Sequence, residues 1–433
     1  MTKTFKTLLL AFLILNKLSL FAQEPLVLSL DSAINYAIEN NKTLVNSQFA
    51  VDKSKQRIKE TIAQGLPQIN ASVDYTNFLG AETSIQLSPM APPAVIEFNP
   101  TSNFKASASQ LIFNGNYYVG VQLSKLAQTM SELSYQKDEQ NVKEQTIQAY
   151  YLILASERIL SVIKENKTNV QLIYEKTQNL ANAGMIEQTE VKKLSVMVTS
   201  VDNALKSTER QVEMGYNLLH LHLGLEPNQT IKLTSTFDDI ARQNIMQPVI
   251  ADTFNVQNNM DYKLLSMQGE IAKKSIRLKQ ASYLPSLVAF YSYTEKIKEP
   301  VFDMTPKHVL GLTLSIPIFS GGLRSSQYTQ AKIDYLISNN TKDLVSQQLT
   351  TQEKQLRYNY NNLFEQYQNQ KVNVDIAKEV LENMNLKFQQ GIVSSLELTS
   401  ANSDYLTAET NYTSIVLQLL NAELSLRKIN CKL

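Results

Sequence analysis

The sequence predicts a mixed α and β chain made of two copies of one unit, each a short strand pair followed by a long antiparallel helical hairpin. Three observations carry this. A helix–strand–loop–strand–helix spelling occurs twice. Two apolar heptad seams share one register. The composition is poor in breakers, with 12 Gly, 12 Pro and no Trp in 433 residues. Long Gln-, Asn-, Lys- and Glu-rich tracts with so few breakers fit long helices better than compact domains.

The spelling is clearest in its second occurrence. A polar helical pattern stops at Tyr283-Leu284-Pro285. Leu287, Ala289, Tyr291 and Tyr293 then alternate with Ser286, Ser292 and Thr294, while Val288 and Phe290 relax the alternation. After a loop holding Glu299-Pro300 and Thr305-Pro306, a second run carries Leu310, Leu312, Leu314 and Ile316. It closes at Ile316-Pro317-Ile318-Phe319-Ser320-Gly321-Gly322, where a long polar helix pattern begins. Period two on a two-faced ribbon marks strands. Pro285 cannot continue a helix but can open a strand, and Gly321 and Gly322 let the backbone turn into the next helix. The first occurrence has Leu66-Pro67 as the stop. Ile69, Ala71, Val73 and Tyr75 alternate with Asn70, Ser72, Asp74 and Thr76, then Phe104, Ala106 and Ala108 with Lys105, Ser107 and Ser109. Gln110-Leu111-Ile112-Phe113-Asn114-Gly115 closes it. Pro67 and Pro285 lie 218 positions apart, and Asn40-Asn41 meets Asn258-Asn259 at the same offset.

In chain order, residues 1 to 22 read as a secretory signal: Lys3 and Lys6 precede the apolar run Leu8 to Leu15, and Phe21-Ala22 ends it. No cysteine follows it, which excludes lipid attachment there, and the single Cys431 excludes a disulfide framework or a multi-cysteine metal site. Residues 23–223 form the first repeat: a helical segment over 29 to 64 with Ser29 or Asp31 as cap and a break at Asn40-Asn41, a strand pair over 68–113, and a hairpin over 116–223. The loop inside the strand pair holds Pro89, Pro92, Pro93 and Pro100, too many prolines for a central strand. From Asn116 to Leu180 no proline occurs, and at the helical rise that span is roughly 95–100 Å. Gly184 breaks it. The return helix carries Val191, Leu194, Val198, Val201, Leu205, Thr208, Val212, Gly215 and Leu219 in alternating steps of three and four, a heptad seam. Residues 224–253 read as an irregular linker with Pro227 and Pro248. Residues 254–433 repeat the plan: a helix, a strand pair over 286–319, and a hairpin over 323–430 broken at Gly391. At offset 207 the seam returns as Leu398, Ala401, Tyr405, Ala408, Tyr412, Ile415, Leu419, Ala422 and Leu426.

Net charge is +1, and no basic cluster of the kind phosphate binding needs is present, so nucleic acid is not expected as a partner. Beyond the leader no window holds 18 apolar residues, so a membrane encounter falls to the strands. Four strands cannot close a membrane barrel, and bare edges in lipid cost several kcal/mol per unsatisfied group. The chain must therefore oligomerise: two copies give eight strands, three give twelve. Narrow seams on long hairpins favour side-by-side packing into a wall, and twelve strands continuing into twelve helices make a hollow tube. Tyr75, Tyr117, Tyr118, Tyr291 and Tyr293 are candidates for interfacial girdles, or for ordinary strand packing.

These features together resemble the TolC-type outer-membrane efflux protein family over nearly the whole mature chain. The resemblance rests on the duplication, the two Leu-Pro stops, the motifs at 110–115 and 316–322, and the two Gly-to-acid tips. It implies a homotrimer with a shared twelve-stranded outer-membrane β-barrel, surrounded by lipid, and a periplasmic α-helical barrel. The expected function is an exit duct of a tripartite efflux or type I secretion system in a Gram-negative cell, coupled to an inner-membrane pump through a periplasmic adaptor. The competing class is a periplasmic coiled-coil adaptor or scaffold, which leaves the two strand pairs unexplained.

The hairpin tips at Gly184, Met185, Gly391 and Ile392 are then the expected adaptor contacts, and Pro67, Pro285, Gly115, Gly321 and Gly322 the helix–strand junctions. Six residues past each tip glycine stands a carboxylate, Glu190 and Glu397. In a trimer three copies of Glu397 are candidates for a cation-attracting ring. The resemblance supports this, because family members place a constricting aspartate at the position of Glu397. Ser400 stands where they have a second aspartate, and Phe388 and Val393 replace a tyrosine and an arginine of the closed mouth. Ser394-Ser395-Leu396-Glu397 is also a capping-box spelling, which places Glu397 in a helix first turn. No Ser/His/Asp, Cys/His or paired-carboxylate constellation is visible, so no enzyme activity and no cofactor are expected. His220 and His222, two apart, do not face one another on a helix; His308 is assigned no role. Gly321-Gly322 lacks the Lys-Ser/Thr of a phosphate loop.

Overall fold

The computed structural model describes residues 25–86, 92–227, 229–245, 253–299 and 305–433. The signal stretch 1–22 and Pro89, Pro248 and Pro300 lie outside the described residues. The chain divides into two compact units: Gln48–Tyr135 with Asp261–Ser346, and the remainder, Met1–Ser47, Gln136–Met260 and Gln347–Leu433.

The first of these units holds a four-stranded antiparallel sheet of β2 (Gln68–Thr76), β5 (Thr101–Asn114), β7 (Ser286–Lys298) and β8 (His308–Ser315) in that spatial order. The two repeats meet at its centre, through β5 and β7. Residues directly opposite share a face. The register Ile69↔Ala108↔Tyr291↔Leu310 therefore collects Ile69, Ala71, Val73, Ala106, Ala108, Ala289, Tyr291, Leu310 and Leu312 on one side. Asn70, Ser72, Asp74, Ser107, Ser292 and Thr294 fall on the other. Phe290, which breaks the alternation, lies over Gly311: a Cβ there would sit 2.6 Å from the Phe290 ring. Leu310 is 81% exposed and Ile69 78%, and all of β2 is exposed. Edge strands β2 and β8 each pair on one side only.

Helices flank the sheet: α2 (Lys42–Ala63), α6 (Met260–Ala281) and the starts of α3 (Gly115–Asn182) and α7 (Leu323–Gln389). Pro67 and Pro285 immediately precede β2 and β7. The two exits differ. β5 runs straight into α3 at Gly115, where a Cβ would press on Leu284 at 2.9 Å. The expected strand to 319 is corrected: β8 stops at Ser315, since Pro317 offers no N–H to the ladder. Ile318 and Phe319 stand 92% and 88% exposed, and Gly321 and Gly322 turn the chain with φ of +56° and +86°. Inside the proline-rich loop, β3 (Glu82–Ile85) and β4 (Ala94–Glu97) make a separate two-stranded ribbon that alternation did not announce.

The second unit holds the remainder of α3 and α7 with their return helices α4 (Gln188–Leu223) and α8 (Ser395–Ile429), and α1 (Leu30–Asn40), capped by Ser29. The heptad seam is its core. Val191, Leu194, Val201, Thr208, Gly215 and Leu219 are buried on α4, with Met197 added, and Leu398, Ala401, Leu419, Ala422 and Leu426 on α8. Gly215 is required by contact, since a Cβ would lie 2.9 Å from Ile153 of α3. Leu205 and Tyr412, equivalent seam positions in the two repeats, are half-buried and not core; Tyr412 stacks on Tyr367 of α7 at 6.0 Å. The stretch 224–253 is not wholly irregular. It contains β6 (Ile231–Leu233), paired in parallel with β1 (Leu26–Leu28), and α5 (Phe237–Ile245), whose Phe237, Ile240 and Ala241 are buried.

The duplication recurs atom for atom at the helix breaks. Asn41 donates from its side chain to the His222 carbonyl at 2.7 Å, and Asn259 donates to the Ile429 carbonyl at 3.0 Å. Each asparagine thereby satisfies a carbonyl orphaned at the end of a return helix. Among the described residues, no helix is long and apolar enough to cross a membrane.

Candidate gate at the hairpin tips

Both hairpins of the second unit turn by the same backbone device. Gly184 and Gly391 each take φ +74°, a left-handed value that glycine adopts freely, and each Cβ position opens on empty space. Met185 N–H returns to the Leu180 carbonyl and Ile392 N–H to the Lys387 carbonyl, both at 3.0 Å, closing Schellman turns. Met185 and Ile392 are 71% and 64% exposed. Two apolar side chains thus stand outward at corresponding places.

The two first turns that follow are built differently. At α8, Ser394 is the N-cap. Its hydroxyl accepts from Glu397 N–H at 3.4 Å, and Glu397 Oε2 accepts from Ser394 N–H at 2.8 Å, a complete capping box. The Ser394 N–H first, and then the Ser394 hydroxyl, which also donates to Oε2 at 3.1 Å, hold the Glu397 carboxyl below its ordinary range. At α4 the N-cap is Glu187, with no side-chain hydrogen bond. Glu190, three residues on, does not turn back to its own helix. Its Oε1 pairs with Lys193 at 2.8 Å, and its Oε2 accepts from Ser395 N–H at 3.1 Å and from the Ser395 hydroxyl. Lys193, then Ser395, hold the Glu190 carboxyl low. The N-terminus of α8 therefore carries two carboxylates, one from each hairpin, and helix N-termini favour negative charge.

Behind this point the hairpins are joined by groups the sequence did not single out. Thr399 points its hydroxyl at the Met197 sulfur, 3.5 Å away. Asn166 of α3 and Asn402 of α8, each 4% exposed, exchange side-chain amide bonds in both directions at 2.5 and 3.4 Å. The two residues are 236 positions apart, so no local pattern announces the pair.

The remaining gate candidates fall in unlike places. Phe388 is partly buried and packs on both hairpins, against Val170, Leu194 and Met197 on one side and Leu381, Leu398 and Ala401 on the other. Ser400 is exposed on α8. The junction residues Pro67, Pro285, Gly115, Gly321 and Gly322 belong to the sheet unit described above. His220 is taken up as a structural tie, with its two ring nitrogens against the Tyr216 and Gln229 carbonyls at 2.7 and 2.5 Å. His308 bonds Tyr291 OH at 2.7 Å. Among the described residues no group of three or more His, Cys, Asp or Glu side chains is arranged to hold a metal ion.

The family model described as outer membrane efflux protein matches residues 33–224 and 256–430, which takes in both repeats and leaves out the linker between them. The outer membrane protein TolC of Salmonella enteritidis is 22% identical over 318 residues, 69% of this chain. That alignment spans 60% of the relative's length, and the same share holds for TolC of Escherichia coli. TolC of Vibrio cholerae is 21% identical over 401 residues, covering 90% of this chain and 89% of the relative. Among solved structures, CusC superposes with a TM-score of 0.74 at 15% identity, covering 92% of this chain and 91% of that one. The Campylobacter jejuni CmeC outer membrane channel gives 0.73 at 15% identity, with 92% and 85% covered. At such identities these structures establish a shared fold.

Proposed function

The chain belongs to the outer membrane efflux protein family, and from that premise we propose that it is the outer-membrane exit duct of a tripartite efflux or type I secretion system, acting as a homotrimer. The observation that carries this reading is the sheet. It has an apolar face, with Ile69 and Leu310 exposed, and a polar face, with Asn70, Ser72 and Asp74 exposed, and among the described residues its two edges have no neighbour. Lipid suits the first face, a water-filled lumen suits the second, and in hydrocarbon every unmatched strand edge costs several kcal/mol per group. In the spatial order β2-β5-β7-β8 antiparallel strands alternate in direction. β8 of one copy and β2 of the next are therefore antiparallel too, and three copies close a twelve-stranded barrel without an edge.

On this reading the protein sits in the outer membrane of a Gram-negative cell, with its hairpins in the periplasm. An inner-membrane pump supplies the energy and a periplasmic adaptor joins pump to duct. Met185 and Ile392, the exposed apolar residues beside Gly184 and Gly391, are the adaptor contacts. Glu190, Glu397, Ser400 and Phe388 line or brace the inner mouth, where a ring of three Glu397 carboxylates attracts cations. The chain does no covalent chemistry.

The test is mass measurement of the detergent-extracted protein, followed by conductance in planar bilayers. A trimer that opens cation-favouring channels is the expected result. A stable monomer recovered without detergent from the soluble periplasmic fraction overturns the duct and favours an adaptor or scaffold.

A further inference from the structure

The hairpins touch one another inside one chain, and that contact is a template. The first hairpin (α3, α4) offers Asn166, Glu190 and Met197; the second (α7, α8) answers with Asn402, Ser395 and Thr399. The contact is heterologous, since a patch of the first repeat meets a different patch of the second. Continuing it beyond the second repeat requires a first repeat from another copy.

The internal offset of 207 says which residues meet there. Adding it carries Asn166, Glu190 and Met197 onto Asn373, Glu397 and Asp404; subtracting it carries Asn402, Ser395 and Thr399 onto Ser195, Gln188 and Lys192. Each resulting pair is chemically matched. Asp404 meets Lys192, opposite charges where the template has Met197 and Thr399. Glu397 meets the α4 N-terminus at Gln188, the helix start without a side-chain cap. Asn373 meets the Ser195 hydroxyl. Lys192, Gln188, Asn373, Glu397 and Asp404 are all exposed, although Asn166, the repeat equivalent of Asn373, is buried. Among the described residues Lys192 and Asp404 form no ion pair, and Glu397 uses only Oε2 in its capping box, which leaves Oε1 to accept from a second helix. Farther from the tip, Arg158–Glu409 maps onto two acids, Glu365 and Asp202. Asp202 is already paired with Lys167 at 2.5 Å and Lys206 at 2.8 Å, both of its own hairpin, so this pair is not carried into the contact between copies.

We propose that this face binds a second copy of the chain, through Asp404 on Lys192, Glu397 on the α4 N-terminus at Gln188, and Asn373 on Ser195, the first of each pair from one copy and the second from its neighbour. The proposal rests on the trimeric reading above and adds the residues that join hairpin to hairpin between copies.

Disulfide trapping tests it in the full chain carrying Cys431→Ser. Met197→Cys with Thr399→Cys is the control and cross-links within one chain, giving a monomer of altered mobility on a non-reducing gel. Lys192→Cys with Asp404→Cys is expected to give covalent dimer and trimer after mild oxidation, reversed by reductant and absent from either single variant. Charge reversal gives an independent readout. Lys192→Asp lowers the temperature at which the oligomer dissociates, and adding Asp404→Lys restores it. A protein of trimeric mass whose 192–404 pair fails to join copies, or joins within one chain, overturns this docking face and leaves the trimer standing. A monomeric mass overturns both.

Discussion

The starts of α4 and α8 occupy equivalent places in a duplicated chain, yet only one is capped. α8 has the capping box of Ser394 and Glu397 and receives Glu190 from the other hairpin. α4 has Glu187 as its N-cap and no side-chain bond. The same asymmetry separates Asn166, buried against Asn402, from Asn373, exposed at the corresponding position. Duplication copies residues and backbone, but a chain with two repeats has one internal junction. The face that the second repeat covers on the first has no cover on the second. What differs between the repeats is therefore a guide to what another copy must supply.

The comparison breaks most severely if the α8 tip loses its packing. Leu398 is 0% exposed, sits one residue past Glu397 and packs with Leu381 and Ala401. Leu398→Ala is expected to destabilise by about 3–5 kcal/mol, because the truncated methyl groups leave a cavity in a seam with rigid neighbours. Leu205→Ala, at a half-buried place on the α4 seam, is expected to cost about 1–2 kcal/mol. Denaturant unfolding in detergent measures both, and equal losses would show that the half-buried positions are core after all.

The next effect isolates the buried amide pair. Asn402→Leu leaves the Asn166 amide buried without its partner, at about 1–3 kcal/mol. Replacing both with Leu removes the unsatisfied groups and recovers most of that loss. The double variant gives up a buried polar interaction that helps to fix the register of the hairpins, as buried polar pairs do in coiled coils. A double variant as unstable as the single would mean that Leu does not fit the site and that the amide bonds are secondary.

The seam was legible in the sequence because a heptad is a local signal repeated many times. Its breadth was not: Thr413, Val416 and Leu420 are buried on α8 beyond the expected positions, since further helices pack on its second half. The four strands were legible from alternation. The end of β8 was overrun because Leu314 and Ile316 keep the alternation going, while Pro317 two residues after Ser315 removes the ladder donor. β1 and β6 have three residues each, too few for any period to register. At the tips, both carboxylates were found by position, and the capping box at Glu397 by its spelling. The reach of Glu190 to Ser395 was missed, although one signal was present: Glu187 stands where the second repeat has Ser394, so α4 lacks the residue type that caps a helix.

The smallest effect concerns protons, and it separates the two carboxylates. Both carboxyls are held below the ordinary glutamate value of 4.5, Glu190 by Lys193 and Ser395, Glu397 by Ser394. A carboxyl lowered in the folded state adds stability that is complete above its unfolded value and is lost as pH falls through the folded one. Between pH 7 and pH 5 neither group changes the stability; below about pH 4.5 both begin to lose their share. Glu397→Gln keeps an acceptor for the Ser394 N–H, so the box persists in weakened form and thermal stability at pH 7 falls slightly. Glu190→Gln also removes the charge that Lys193 and the α8 N-terminus share, and it flattens the acid limb more. Bilayer recordings supply the second axis. If Glu397 forms the ring at the mouth, Glu397→Gln lowers cation selectivity and divalent block while the trimer stays folded. Unchanged selectivity together with a lower melting temperature would make Glu397 a cap alone, and the constriction would then have to be sought at other side chains of the tips.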